Sequence, residues 1–220
     1  MVTGRNPWLS RPADSEAETD EAEASPTPAA EALRSALRAT GPVAPQAGVP
    51  APPEEVRLPV SSHPETADLW LLGTHGGAGE STLAELVEGW RAADHAWPAP
   101  PDVPGPAANV VLVARSNARG LTSARAAATQ WASGLVPHAR VLGLVLVADA
   151  PKEPRPLRPL MQLVAGGMPR LWRVPWCEPW RLGASPELDN APREARRLVD
   201  ELRALIQEGV QGAPYRKEHR

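Results

Sequence analysis

Phenylalanine is missing from this 220-residue chain, tyrosine and cysteine occur once each, and lysine occurs only twice, at Lys152 and Lys217. Each shortage excludes something. A lone Cys177 cannot form an internal disulfide, which fits a reducing compartment. With so little lysine, the cations of this chain are almost all arginine. Scarce Lys, Phe and Ile beside abundant Ala, Arg, Pro and Gly reflect a GC-rich coding sequence rather than a function. No apolar run approaches the roughly 20 residues of a membrane span. No basic-then-apolar leader opens the chain, so the expected location is the cytoplasm. Net charge is −3, which supplies no global field to recruit nucleic acid.

What is plentiful is proline, at 27 residues, glycine at 17 and tryptophan at 8. Eleven of the prolines fall within residues 1–66, and Asp14 to Glu31 holds seven acids and no base. Such a stretch buries too little apolar surface to offset its ordering entropy. Residues 1–66 are therefore expected to form a disordered, acidic, proline-rich tail. Within it, Ala29 to Ala39 has helical spacing but is short. Trp8 and Leu9 are either an accidental apolar pair or a docking peptide.

Order is expected over residues 67–210, with 211–220 a flexible end. "DLWLLG" ends a short apolar run in Gly73, as a buried parallel strand does. Ser81 to about Ala93 carries Leu83, Leu86, Val87 and Trp90 at helical spacing. A proline-rich connection from Trp97 to Ala108 follows. Strands are predicted at Asn109 to Ala114, Ala139 to Asp149 and Arg170 to Trp176. Helices are predicted at Ser123 to Leu135, Pro156 to Gly166 and Pro192 to Gly209. Alternating strands and helices imply an α/β fold: a three-layer parallel sheet covered on both faces.

The stretch "HGGAGEST" (His75 to Thr82) lies between the first strand and its helix. Glycine loops in that place grip phosphate with backbone N–H groups, a lysine and a hydroxyl. Gly76, Gly77, Ala78, Gly79, Glu80, Ser81 and Thr82 are the candidate phosphate-binding residues. The loop resembles that of the deviant P-loop ATPases of ParA/MinD type, K-G-G-x-G-K-[ST]-[ST], with His75 at the signature lysine and Glu80 at the main one. "VVLVARSNARGL", "LVLVADAP" and "LWRVPW" resemble later strands of that superfamily, so the likeness spans roughly Asp68 to Gly209. As a whole the pattern is most similar to an uncharacterised actinobacterial family of degenerate P-loop proteins, met beside conjugation-type ATPases on mobile elements. The resemblance implies a reduced P-loop NTPase fold. The strands that carry the family's catalytic and magnesium-associated acids find no counterpart before Asn109.

A lysine about 4 Å from a phosphate charge contributes on the order of 4 kcal/mol at an effective dielectric of 20, and a glutamate there costs a similar amount. Glu80 is thus expected to forbid tight ATP binding. Glu80→Lys is expected to restore some affinity, but no turnover. Asp149 is the candidate acid at a strand end, against the plainer reading that it turns the chain before Pro151. Cys177 has no histidine in a nucleophile motif beside it, no Cys/His/Asp spacing suggests a metal site, and "GES" lacks the second glycine of a nucleophile elbow. No catalytic residue and no cofactor is therefore expected beyond weak ATP with magnesium.

"VPWCEPWRLG" places two Pro-Trp pairs four residues apart. Trp172, Trp176, Trp180 and Arg181 are candidate partner-binding residues, since Trp and Arg dominate protein interfaces. Packing of the same rings over the sheet end is the alternative. The sequence points to a non-catalytic accessory or scaffold protein that binds protein partners, in conjugation or mobile-element machinery. The competing function is a weak nucleotide-binding switch or ATPase related to partition proteins.

Overall fold

A computed structural model describes residues 39–99 and 107–211. The Trp8–Leu9 pair, nearly all of the Ala29–Ala39 island and residues 212–220 lie outside them. The strands are β1 (Val60–Ser62), β2 (Leu69–Gly73), β3 (Trp90–Ala92), β4 (Trp97–Ala99), β5 (Ala108–Arg115), β6 (Ala139–Val147) and β7 (Leu171–Val174). The helices are α1 (Glu80–Ala84), α2 (Ala118–Ala132), α3 (Arg158–Gly166), α4 (Glu178–Arg181) and α5 (Arg193–Gln211).

Five strands form one parallel sheet in the order β3-β2-β5-β6-β7. Period-2 alternation sends its side chains to two cores. Leu69, Leu71, Val111, Val113 and Val145 meet Leu83 of α1 and Leu198, Leu202 and Leu205 of α5. Trp70, Leu72, Val110, Leu112 and Leu144 meet Leu121, Ala124 and Trp131 of α2 and Met161 of α3. Each buried Leu or Val contributes about 1.5–3 kcal/mol relative to exposure. The predicted α/β architecture with both faces covered is present.

Two predicted stretches come out differently. Helix α1 stops at Ala84 instead of running to Ala93. Turns close from Leu86 N–H to the Leu83 carbonyl and from Val87 N–H to the Ala84 carbonyl, and Trp90 then pairs with Leu69 in the edge strand β3. Leu83, Leu86, Val87 and Trp90 are all buried, so their spacing foretold burial correctly. A series of turns feeding a strand buries the same positions that a helix would. A strand therefore does stand beside β2, contrary to the expectation that none lies between the first helix and Asn109.

The second difference lies in residues 39–66, read from composition as part of the tail. They run over the domain. Thr40 N–H donates to the Pro169 carbonyl at 2.8 Å, and Gln46 N–H to the Ala132 carbonyl at 2.9 Å. Gln130 of α2 brackets Leu58, accepting its N–H and donating to its carbonyl, each at 2.9 Å. β1 pairs in parallel with β4, Val60 beside Trp97. Proline-rich chain has less conformational entropy to lose on docking, so a few backbone hydrogen bonds and one buried proline, Pro52, hold it without a hydrophobic stripe of its own. The acidic run that dominated the composition lies outside the described residues.

Candidate functional site

β3 and β5 flank β2 on opposite sides, so the chain reverses its winding direction between β2 and β5. In open α/β sheets, ligand crevices form outside the carboxyl ends of the strands at such a reversal. Two segments meet there: the glycine-rich loop leaving β2 at Gly73, and Arg115, the last residue of β5.

The loop turns through Gly79, whose φ of 101° is in the left-handed region, where a side chain is strained. Gly76 and Gly77 are exposed, Ser81 is exposed, Thr82 is half-buried, and Ala78 is buried in the core under α1. Glu80 does not point at a phosphate. Its carboxylate is buried and turned back beneath the loop, where it accepts the Gly73 amide hydrogen. The approach is so close that a Cβ on residue 73 would stand 2.5 Å from Glu80 Oε2. His95 Nδ1 is 3.1 Å from Glu80 Oε1 and 3.0 Å from the Gly73 carbonyl. Both are acceptors, so His95 Nδ1 carries a hydrogen. Burial pushes the Glu80 carboxyl above the ordinary 4.5, against the opposing pull of the Gly73 amide and of His95, while the nearby Asp94 charge pushes it up further.

His75, at the other position where the resemblance expects lysine, is equally engaged. Its Nε2 accepts the Arg115 amide hydrogen at 3.1 Å, which leaves Nδ1 to donate to the Gly76 carbonyl at 2.9 Å. The ring is thereby held as the neutral Nδ1–H tautomer.

Asp94 was not singled out in the sequence. It follows β3, the strand next to the loop, and both Asp94 and His95 adopt positive φ, 48° and 60°. Non-glycine residues in that region are uncommon and cluster at functional or over-determined sites, at a cost of order 1–3 kcal/mol each. The signal was present in "AADHAW": an acid closing a short apolar stretch. Reading that stretch as helix concealed it. Asp149 lies two residues past β6, near enough to Arg115 to act on it through its charge, with its N–H on Ser116 Oγ at 3.3 Å.

Arg115 is the second residue that sequence reasoning missed. Its Nε donates to the Gly77 carbonyl at 2.9 Å and its Nη1 to the Ala148 carbonyl at 3.1 Å, clasping loop to sheet. Beside it lies a cavity of about 100 Å³, lined by Thr82, Ala148, Pro175, Trp176, Trp180 and Arg181. Arg181 Cζ stands 4.8 Å from the Trp176 ring centroid, within cation–π range. Trp176 Nε1 donates to Glu178, and Trp180 Nε1 donates to Asn190 Oδ1 at 2.9 Å. Both rings are half-buried, with Leu182 79% exposed next to them. Trp172 separates from this group. It is buried, and its Nε1 donates to Glu201 Oε2 at 2.7 Å, so of the four candidate partner residues it belongs to the core. Among the described residues, no cluster of His, Cys, Asp and Glu could hold a metal ion, and no helix is long and apolar enough to cross a membrane.

The sheet, the loop and this cleft fall within residues 67–198, which match the model of a family of unknown function, DUF6668. The chain belongs to that family. No curated protein and no solved structure matches it.

Proposed function

We propose that this chain is a non-catalytic protein on a P-loop-type fold, which binds a protein partner at the carboxyl end of its sheet as an accessory or scaffold in conjugation or mobile-element machinery. The observation that carries this reading is the use made of the two lysine positions. His75 and Glu80 both spend hydrogen-bonding capacity on the protein's own backbone, on Arg115 N–H at the end of β5 and on Gly73 N–H at the end of β2. Neither is available to a γ-phosphate, and α1 is only five residues long, so little helix dipole reaches the loop. Beside the loop, half-buried Trp176 and Trp180, exposed Arg181 and exposed Leu182 combine the residue types that anchor interfaces.

A weak nucleotide-binding switch is the second reading. It is favoured by Asp94, two residues past β3, the strand paired with β2, since the resemblance to P-loop ATPases asks for an acid after such a strand.

Calorimetric titration with magnesium-ATP separates the two. The scaffold reading expects no binding tighter than about millimolar, roughly −4 kcal/mol. Micromolar binding would establish the switch instead. For the partner, a photo-crosslinker at Leu182 in the native host is expected to capture a protein that the same group at Leu163, 61% exposed on α3, does not. Trp180→Ala should abolish that adduct in a chain that still folds. Equal capture from both positions would refute the surface.

A further inference from the structure

The cleft at the sheet end contains an electrostatic arrangement that the partner reading does not require. Arg115 and Arg181 face one small cavity, and among the described residues neither guanidinium is within ion-pair distance of a carboxylate. Arg115 uses two of its five N–H donors on the Gly77 and Ala148 carbonyls, which leaves three. Arg181 is held by the Trp176 face rather than by an acid. The acids nearby are engaged or distant. Glu178 accepts from Trp176 Nε1, and Asp149 touches Arg115 only through its field. Burial, and then the Arg181 charge, lower the pKa of Arg115 against that opposing field. Arg115 is partly desolvated and Arg181 is exposed, and both face the cavity with no carboxylate in ion-pair contact, so an anion entering it is attracted to both.

Size and donor number select the anion. About 100 Å³ is below the roughly 300–1,000 Å³ of pockets that enclose drug-sized ligands, so a whole nucleotide does not fit inside. A carboxylate offers two oxygens and one charge. A phosphate dianion offers more acceptors and two charges, matching two guanidinium forks beside Thr82, which lines the same cavity. We infer that Arg115, Arg181 and Thr82 form an oxyanion site that takes one phosphate group. The group arrives either as free inorganic phosphate or as a phosphate monoester whose remainder stays outside the cavity.

The site is tested on the full chain by following its thermal midpoint and tryptophan fluorescence during titration with inorganic phosphate, chloride being used to hold ionic strength constant. A saturable response is expected, since a ligand that binds only the folded state raises its stability with concentration. Arg181→Ala should weaken it about tenfold, equivalent to roughly 1.4 kcal/mol, and Arg181→Lys should recover part of the loss. Arg196→Ala, on the exposed face of α5, should leave it unchanged. Arg115→Lys is the second probe; because Arg115 also clasps the loop, its result counts only where the melting transition stays cooperative, and Arg181→Ala decides the matter otherwise. O-phosphoserine binding tighter than phosphate identifies a carried monoester, and weaker binding identifies the free ion. The inference fails if the response only tracks ionic strength, if Arg181→Ala leaves it intact, or if acetate matches phosphate. Such a failure leaves the Leu182 crosslinking result untouched, so the two readings fall separately.

Discussion

The carboxylate of Glu80 accepts the amide hydrogen of Gly73, seven residues earlier in the chain, and so ties the end of β2 to the start of α1 across the glycine loop. The charge reversal visible in the sequence is real, but its direction is inward. Glu80 fastens the loop internally at the position where the resemblance expects a lysine.

This placement gives Glu80 a definite pH signature. Its folded-state pKa is raised, so the folded chain holds a proton that the unfolded chain releases near 4.5. The stability linked to that proton is fully present below the unfolded value and is lost as pH rises through the folded one. Glu80→Gln keeps a neutral acceptor for Gly73 and cannot titrate. The thermal midpoint of Glu80→Gln relative to wild type is therefore expected to improve as pH is raised from about 4.5 toward neutrality. A constant difference across that range would show that the carboxyl does not titrate abnormally.

Glu80→Lys now carries a different expectation from the one the sequence suggested. Lysine has no acceptor for the Gly73 amide and brings a cation to His95 Nδ1–H. Leaving a buried amide unpaired costs about 1–3 kcal/mol. The variant should melt lower and gain no ATP affinity, as denaturation and calorimetry would report. A variant that keeps its midpoint and binds ATP more tightly would mean that the loop can still adopt phosphate-gripping geometry.

The proline-rich arm should contribute to stability. Gln130→Ala removes both hydrogen bonds to Leu58 and is expected to cost about 1–3 kcal/mol. Deleting residues 39–66 should lower the thermal midpoint by more than a few degrees. An unchanged midpoint after either change would mean that the arm lies on the domain without stabilising it.

The tryptophans should divide into two classes. Trp172→Phe leaves buried Glu201, whose other oxygen faces Arg197 Nε at 2.6 Å, short of one donor, at about 1–3 kcal/mol. Trp180→Phe loses only a hydrogen bond to exposed Asn190 and should cost well under 1 kcal/mol, within the range of surface changes. Urea denaturation of the two variants checks the contrast, and equal losses would contradict the division.

The sequence by itself determined the α/β alternation, the buried strands and the glycine turn after β2. Apolar runs such as "LWLLG" and "VVLVA" have few ways to be buried, and Gly79 sits where a left-handed φ is needed. It also determined that Leu83, Leu86, Val87 and Trp90 face the core, because their spacing is a property of the local chain. Tertiary structure alone decided that this segment ends as strand β3, since pairing with β2 across a gap of about 20 residues outweighs a short helix. It decided too that a proline-rich stretch docks, through hydrogen bonds to Gln130 that no composition records. The direction of the Glu80 side chain, and the meeting of Arg115 with Arg181 from segments 66 residues apart, follow from the sheet order. Side-chain direction and long-range charge proximity depend on which strand ends become neighbours, and a one-dimensional pattern carries no term for that.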